Sequence, residues 1–396
     1  MTALTRRRLL GAALALGAAA PLATALPARA SASTAPRLAL PAPTGPFPVG
    51  TTPLHLIDTS RPSPVPGLGP HRELMAGVWY PAAPATADLP LAPWLSDGAM
   101  RAFLADVGFP LDPALAPLTS ARLGAPVHRT GRRLPVVVHS HGSGSHRGDH
   151  TVMVQELASH GYVVVAIDHL GNCFSELPDG RVLTPADAAG PMYALDYAAD
   201  ARFVLDCVEQ LAAGHNPDAE GRPLPDGLGA ALDTSRIGMF GWSKGGTATA
   251  CTMLADRRVR AGLAVDGPMQ PGPGQPTVTA DLDRPFLLMT AAFPRATDPN
   301  VAAFWSHLRG PRLEVRAAGA VHVSYGDNVT LIPQAGRLLG LSEEQIRQMV
   351  GTIDPARALL IQQAYPLAFF DQHLRHRAAP LLDGPSPRFP EVAYLP

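Results

Sequence analysis

The sequence contains few lysines and few cysteines. The low cysteine count limits the disulfide bonds and the metal sites that the chain could form. Of its 32 basic residues only Lys244 is a lysine, so arginine fills every other basic position. The three cysteines, Cys173, Cys207 and Cys251, permit at most one disulfide and show no metal-binding spacing. Cys207 and Cys251 stand among apolar residues of expected helices, where a thiol usually serves as a small buried hydrophobic group.

Long apolar runs are also scarce, and the one near the N-terminus has the features of an export signal. Arginines occupy positions 6–8, an Ala/Gly/Leu run covers 9–20, and residues 28–30 form an A-x-A cleavage site. The run is too short and too rich in alanine to span a bilayer comfortably. We therefore expect residues 1–30 to be a twin-arginine signal peptide and the remainder to be secreted. That remainder has 28 basic and 33 acidic residues, and this mild acidity gives no reason to expect a nucleic acid partner.

Residues 236–246 are the most informative stretch of the sequence. They read as a buried strand, a sharp turn and the start of a helix made of small residues. The pentapeptide G-W-S-K-G at 241–245 fits G-x-S-x-G, the nucleophile elbow of α/β-hydrolases. Its glycines leave room for a tight turn, and Gly246 lets the following helix approach the sheet. The pattern predicts that Ser243 is a nucleophile.

The surrounding pattern predicts the fold. Apolar runs rich in β-branched residues recur at 134–138, 162–167, 261–265 and 286–290. Such runs, alternating with helical segments, are typical of parallel strands covered on both faces. Two earlier strands, at 54–57 and 73–79, are expected to pair antiparallel. We therefore expect one α/β-hydrolase domain over residues 31–396, with a mostly parallel central sheet and helices on both faces.

Residues 83–130 interrupt this pattern. They carry no strand signal, although residues 100–107 could form a short amphipathic helix. Trp94 and Phe109 read as exposed bulky side chains. The segment fits a flap over the active site and a surface excursion equally well.

A serine nucleophile needs a base and an acid that orients the base. In α/β-hydrolases these follow the serine in the order acid, then histidine, each at a strand end. Asp266 directly follows the strand at 261–265, and His322 follows the last predicted parallel strand. Asp298 is a rival acid, but it lies eight residues beyond its strand. Both residue types also have ordinary roles, because an aspartate often caps a helix and a single histidine is often structural.

The loop at 139–145, H-S-H-G-S-G-S, is predicted to complete an oxyanion hole. We expect one backbone N–H donor from Ser143 in this loop and the other from Lys244, the residue after the nucleophile. The loop and its continuation also contain possible metal ligands at His139, His141, His146, Asp149 and His150. Histidines two apart at a strand end usually point to opposite faces, so we expect neither a metal nor a cofactor.

Four segments, at 138–142, 240–246, 260–266 and 319–322, resemble the plasma-type platelet-activating factor acetylhydrolases and their bacterial relatives. Residues 45–50 and 78–81 resemble the N-terminal strands of that family. The resemblance implies an α/β-hydrolase whose acid directly follows the strand after the elbow, which favours Asp266. It also implies hydrolysis of short or oxidised acyl esters of phospholipids without metal or calcium.

The elbow departs from that family, which usually has His before the serine and Phe, Met or Leu after it. Trp242 and Lys244 occupy these positions, and the departure concerns the substrate rather than the three catalytic residues. One hypothesis is that the Lys244 cation favours an anionic leaving group or an acid-bearing acyl chain. The alternative is that its side chain only packs against the helix.

Together these features predict a monomeric serine carboxylester hydrolase that forms an acyl-enzyme on Ser243. Its substrate would be a small-molecule ester or a phospholipid, with transient contact to a lipid interface. A lipase or a cutinase-like polyester hydrolase is the enzymatic alternative. A binding protein built on a hydrolase scaffold without catalysis is the alternative from another class.

Overall fold

The structure is a computed structural model that describes residues 37–84, 86–129 and 131–396. The predicted signal peptide at residues 1–30 lies outside these ranges. Within them, no helix combines the length and the apolar character needed to cross a lipid bilayer.

An eleven-stranded sheet forms the centre of the fold, and its architecture confirms the expected α/β-hydrolase class. Its strands are β1 (Val49–Pro62), β2 (His71–Pro81), β3 (Leu91–Pro93), β4 (Leu118–Leu123), β5 (Leu134–Ser140), β6 (Val163–Asp168), β9 (Leu232–Trp242), β10 (Val259–Val265), β11 (Phe286–Thr290), β12 (Arg312–Ala317) and β13 (Val392–Leu395). A separate hairpin consists of β7 (Ser175–Glu176) and β8 (Val182–Leu183). The sheet order is β13-β12-β11-β10-β9-β5-β6-β2-β1-β4-β3.

The six strands from β12 to β6 in this order are parallel, as the apolar runs predicted. Strands β1 and β2 pair antiparallel, also as expected, and β2 continues antiparallel onto β6. Every residue of β5 and β6 is buried, which agrees with strands that are covered on both faces. The parallel strands bring their carboxyl ends to one edge, where Ser243, Asp266 and the 141–145 loop all follow.

Helices cover both faces of the sheet. They are α1 (Asp97–Val107), α2 (Thr151–Ser159), α3 (Ala194–Ala212), α4 (Leu228–Ala231), α5 (Lys244–Ala255), α6 (Pro299–Ser306), α7 (Asn328–Leu338), α8 (Glu343–Val350) and α9 (Pro355–Arg375). One apolar core packs α3, α5 and α6 against the sheet, and a second core packs α2, α8 and α9 against it. Short 3₁₀ turns occur at Pro113–Leu115, His322–Tyr325 and Pro380–Leu382. A capping box formed by Ser342 and Gln345 starts α8.

The expectation for residues 83–130 was wrong in two respects. The segment contains two strands, because β4 pairs parallel with β1 and β3 pairs antiparallel with β4 at the sheet edge. Trp94 is buried rather than exposed, since its indole N–H finds an acceptor in Asp327 Oδ2 at 2.8 Å. Between these strands, α1 buries Met100 and Leu104 in a small core. The flap itself stays a prediction.

The three cysteines are free and buried. The expectation that Cys207 and Cys251 act as small core residues is therefore confirmed. Burial raises the pKa of both thiols to about 12, because the thiolate would lose its hydration.

Candidate active site

Ser243 lies at the turn between β9 and α5 in a strained conformation. Its φ of 55° and ψ of −118° are unusual for a residue with a side chain. The neighbouring glycines explain how the turn is possible. A Cβ at Gly245 would collide with the main-chain oxygen of Ser140, and one at Gly241 would collide with the backbone of Gly245. The turn is held to the sheet by a hydrogen bond of 2.8 Å from Ser243 N to Val265 O.

Asp266 directly follows β10 and is completely buried. Its Oδ2 lies 2.6 Å from His322 Nδ1, so the structure brings the predicted acid and base together. The carboxylate also accepts hydrogen bonds from the three successive backbone N–H groups of residues 291–293, at 2.7 to 3.1 Å. These donors, which were not predicted from the sequence, orient the carboxylate toward the imidazole.

Asp298, the rival acid, has a different task. Its Oδ1 accepts hydrogen bonds from the backbone N–H groups of Asn300 and Val301, both at 2.9 Å. Asp298 is therefore the N-cap of α6, which is the ordinary role considered for it. The geometry favours Asp266 as the partner of His322.

His322 begins a 3₁₀ turn after β12, and a quarter of its side chain is exposed. Its ring contacts two aromatic side chains, with centroids 4.8 Å from Trp242 and 5.5 Å from Phe293. Trp242 Nε1 also donates a hydrogen bond of 2.9 Å to the main-chain oxygen of His322. Because Trp242 directly precedes Ser243, these contacts place the histidine turn beside the elbow.

The loop after β5 carries Ser143, the first predicted oxyanion donor. Among the described residues, the backbone N–H of Ser143 has no hydrogen-bond acceptor. The preceding carbonyl belongs to the same peptide unit, and His141 Nδ1 lies 2.6 Å from this Gly142 oxygen. A carbonyl can only accept, so Nδ1 carries the proton and fixes the plane of the peptide. His141 Nε2 accepts from the N–H of His169 at 3.1 Å, which anchors the imidazole in turn.

Lys244, which would supply the second donor, is the first residue of α5. The N–H groups of a first helical turn point toward whatever lies at the helix N-terminus. Its side chain turns toward α3 instead of solvent, and Nζ donates to Asn172 Oδ1 at 3.1 Å and to Met192 O at 2.5 Å. Nζ also lies 5.3 Å from the centre of the Tyr197 ring.

A second serine–histidine–aspartate array lies beneath the oxyanion loop. His169 Nε2 is 2.8 Å from Ser140 Oγ, and His169 Nδ1 is 2.8 Å from Asp200 Oδ2. All three residues are completely buried. Arg72 donates to Asp200 at 2.9 and 2.5 Å, and this guanidinium holds the pKa of the carboxyl well below its usual range. The array supports the ends of β5 and β6, where no ester could reach Ser140.

Among the described residues considered as metal ligands, His150 and Asp149 contact each other, whereas neither ring nitrogen of the buried His139 has a hydrogen-bond partner. His139, Asp149 and His150 are buried, with possible ligand atoms within 4.8 Å of one another. His150 Nδ1 lies 2.6 Å from Asp149 Oδ1, whereas two tetrahedral zinc ligands stand about 3.3 Å apart. Asp149 also accepts a hydrogen bond from Ser145 at 2.7 Å. As arranged, the two side chains form a hydrogen-bonded pair rather than a chelate.

Asn172, which was not predicted from the sequence, follows β6 and contacts both sides of the predicted oxyanion hole. Its Oδ1 accepts from Ser143 Oγ at 3.1 Å, as well as from Lys244 Nζ. Its position in a Gly-Asn pair just beyond the carboxyl end of a parallel strand was the available signal, because ligand-binding residues gather at that edge.

Comparisons with known proteins identify relatives in sequence and in structure. A fungal protein from Arthroderma benhamiae, described as a probable 1-alkyl-2-acetylglycerophosphocholine esterase, is 29% identical over 94% of this chain and 97% of its own length. The platelet-activating factor acetylhydrolase of Cavia porcellus is 25% identical over 62% of this chain and 59% of its own. The solved structure of a ferulic acid esterase from Streptomyces cinnamoneus superimposes with a TM-score of 0.75 and 33% identity, covering 91% of this chain and 99% of that one.

The family described as platelet-activating factor acetylhydrolase, isoform II, matches residues 33–175 and 224–380. These ranges contain the oxyanion loop, the elbow, Asp266 and His322. The relatives and the solved structure carry the names of acetylhydrolases and esterases. The chain is a carboxylic ester hydrolase and belongs to the platelet-activating factor acetylhydrolase family.

Proposed function

We propose that the protein is a serine hydrolase that cleaves carboxylic esters through an acyl-enzyme on Ser243. The observation that carries the proposal is the hydrogen bond of 2.6 Å between Asp266 and His322, located beside a strained serine at the predicted elbow. A serine, a histidine and a buried carboxylate in this order are the components that acyl transfer to an alcohol requires.

In the proposed mechanism, His322 Nε2 accepts the proton of Ser243 Oγ while that oxygen attacks the ester carbonyl. Asp266 keeps the imidazole proton on Nδ1 and stabilises the imidazolium that forms. The backbone N–H groups of Ser143 and Lys244 bind the oxyanion of the tetrahedral intermediate. The imidazolium then protonates the leaving alcohol, and a water activated by the same histidine releases the acid and regenerates the serine.

For the substrate, we propose esters with short acyl groups, including the acetyl ester of a glycerophospholipid. Family membership and the description of the Arthroderma relative support this choice. A second candidate is an ester of an aromatic acid. It is supported by the 33% identity to a ferulic acid esterase and by the aromatic rings of Trp242 and Phe293, which both contact His322.

We also propose export by the twin-arginine route, based on the arginines at 6–8 and the A-x-A site at 28–30. Replacing Arg6 and Arg7 by lysine, in a bacterial host that has a twin-arginine pathway, tests this. The enzyme should then remain in the cytoplasmic fraction, and unchanged secretion would reject the route.

The catalytic proposal is tested with 4-nitrophenyl esters from acetate to palmitate, a 2-acetyl glycerophospholipid and methyl ferulate. The wild type is compared with Ser243→Ala and with Ser140→Ala, which disrupts the buried second array. A fluorophosphonate probe should label the wild type and Ser140→Ala but leave Ser243→Ala unlabelled. Ser140 is a stringent control, because this serine is also hydrogen-bonded to a histidine that contacts an aspartate.

Three results separate the candidates. Rates that are highest for acetate and for the acetyl phospholipid support the first substrate class, and a preference for methyl ferulate supports the second. A maximum at long acyl chains would indicate a lipase. Hydrolysis or labelling that survives in Ser243→Ala would reject the acyl-enzyme proposal altogether.

A further inference from the structure

The two residues predicted to form the oxyanion hole are linked through a third residue. Ser143 Oγ and Lys244 Nζ both donate to Asn172 Oδ1, each at 3.1 Å. Tyr197 donates its hydroxyl proton to the same oxygen at 2.7 Å. Lys244 can only donate, so the carbonyl side of the amide must face it and the orientation of Asn172 is determined.

The backbone around Asn172 strengthens this link. Gly144, the next residue of the oxyanion loop, donates its N–H to Asn172 O at 3.1 Å. Two residues further on, Phe174 N donates to Ser145 O at 3.0 Å. The segment at 172–174 therefore runs along the oxyanion loop and carries the Asn172 side chain with it.

Lys244 brings the elbow into the same unit. Its ammonium also donates to Met192 O at 2.5 Å and lies over the Tyr197 ring. A cation strengthens such hydrogen bonds compared with a neutral donor. The side chain is thus engaged with Asn172, Met192 and Tyr197.

We propose that Asn172 is a positioning residue that sets the separation between the two oxyanion donors, with the Lys244 side chain as its partner on the elbow. This inference rests on the proposed function, since it assigns a role within that oxyanion hole. Donors must stand about 2.7 to 3.1 Å from the developing oxyanion to stabilise it. Catalytic groups that are displaced by more than about 0.5 Å from the productive geometry lose much of their effect. One acceptor shared by both donor residues restricts their relative movement.

The test compares Asn172→Ala, Lys244→Met and the double variant with the wild type. We expect kcat for 4-nitrophenyl acetate to fall by about tenfold to a hundredfold in each single variant, less than the ~10²- to 10³-fold typical of losing a whole donor. KM should change by less than about twofold, because the ground-state ester gains little from the oxyanion hole. The kcat of the double variant should be no more than about threefold below that of the less active single variant, because both substitutions break the same link.

A tetrahedral inhibitor provides the second measurement. A trifluoromethyl ketone forms a hemiketal oxyanion on a serine, so its affinity should fall in parallel with kcat/KM across the variants. Gln155→Ala is the matched control, since this buried amide links other segments through Pro41 O at 2.8 Å and Ser120 N at 3.2 Å. We expect its kcat and its inhibitor affinity to match the wild type.

The single lysine permits a direct spectroscopic check. Protein labelled with ¹³C,¹⁵N-lysine and purified with a lysine-free tag has one lysine side chain to observe. Its Nζ signal should shift in Asn172→Ala and on binding the trifluoromethyl ketone, but should stay in place in Gln155→Ala. Lys244→Met breaks the link from the other side, so the inference does not depend on the folding of Asn172→Ala.

The outcomes distinguish the two proposals. If Ser243→Ala is inactive but Asn172→Ala and Lys244→Met keep the kcat and inhibitor affinity of Gln155→Ala, the positioning role is rejected and the proposed function stands. A lower kcat with unchanged inhibitor affinity also rejects the positioning role. Activity that survives in Ser243→Ala rejects the proposed function, and the positioning role is rejected with it.

Discussion

Trp242 and His322 are joined by a hydrogen bond of 2.9 Å from the indole Nε1 to the main-chain oxygen, with their rings 4.8 Å apart. Gly142 also lies against the indole, since a Cβ at this position would collide with the ring. Trp242, which precedes the predicted nucleophile, therefore contacts both the turn of His322 and the loop that carries Ser143. In the resembling family this position usually holds a histidine, so the larger indole links two parts of the site that a smaller ring would contact less.

Replacing Trp242 by Phe should lower kcat while leaving the fold intact. The change keeps an aromatic ring but removes the donor to His322 O, and one hydrogen bond contributes about 1 kcal/mol net. We expect kcat to fall about fivefold, by the usual relation between activation free energy and rate. Trp305→Phe, at a buried indole on α6 beside Arg295, is the control and should retain the wild-type kcat. Equal kinetics of the two variants would show that the hydrogen bond has no role.

The two candidate acids should respond differently to the same change. Asp266→Asn should lower kcat by at least about 10³-fold, because an amide in place of the carboxylate no longer enforces the required tautomer of His322. Asp298→Asn should stay within about twofold of the wild type, since asparagine caps a helix as well as aspartate does. The measurement is kcat/KM for 4-nitrophenyl acetate, together with the melting temperature of each variant. The reverse ranking would transfer the acid role to Asp298.

Acid should destabilise the protein through its buried histidines. Burial lowers the pKa of His146 and of His169 to about 4. Between pH 6.5 and 4 the unfolded chain binds protons at these sites that the folded chain does not, so stability falls as the pH falls through this range. Each histidine accounts for about 3 kcal/mol of the decrease. Two buried groups act in the opposite direction, because Asp149 raises the pKa of His150 and burial raises the pKa of Asp327 to about 7.

Denaturant unfolding from pH 7.5 to 4 checks this expectation. His146→Gln should make the decrease in the free energy of unfolding smaller by about 3 kcal/mol. His215→Gln, at an exposed histidine, should leave the pH profile unchanged. A profile of His146→Gln that parallels the wild type would contradict the assignment.

Removal of metal should leave the activity unchanged. The proposed mechanism uses only side chains and backbone N–H groups, and His150 and Asp149 are engaged with each other. We expect dialysis against EDTA or 1,10-phenanthroline to preserve kcat, with far less than one equivalent of any transition metal in the purified enzyme. Loss of activity that added zinc restores would instead identify His139, Asp149 and His150 as a metal site.

Much of the site could be predicted from residues that are close together in the sequence. The glycines at 241 and 245 are required because a Cβ at either position would collide with nearby backbone, and this requirement is visible in five residues. Asp266 was placed correctly at its strand end, and its contact with His322 followed from the shared edge of a parallel sheet. Its catalytic role, like that of Ser243, stays a prediction until the variants are measured.

The elements that were missed depend on partners far away in the sequence. Strand β4 has no long apolar run and exists because β1 offers it an edge. Trp94 could be buried only because Asp327, 233 residues later, accepts its N–H. The backbone N–H groups of residues 291–293 bind Asp266 through a loop whose path no local pattern specifies.

The sequence alone determined the class of fold, the elbow and the order of the predicted catalytic residues. Steric limits at glycine and the burial of apolar strands act over a few residues, and so they can be recognised in the sequence. Only the tertiary structure decided that Asn172 joins Ser143 to Lys244 and that Trp242 holds the turn of His322. These contacts link residues 29 to 80 positions apart, and a polar side chain becomes committed to one partner only when folding removes it from water.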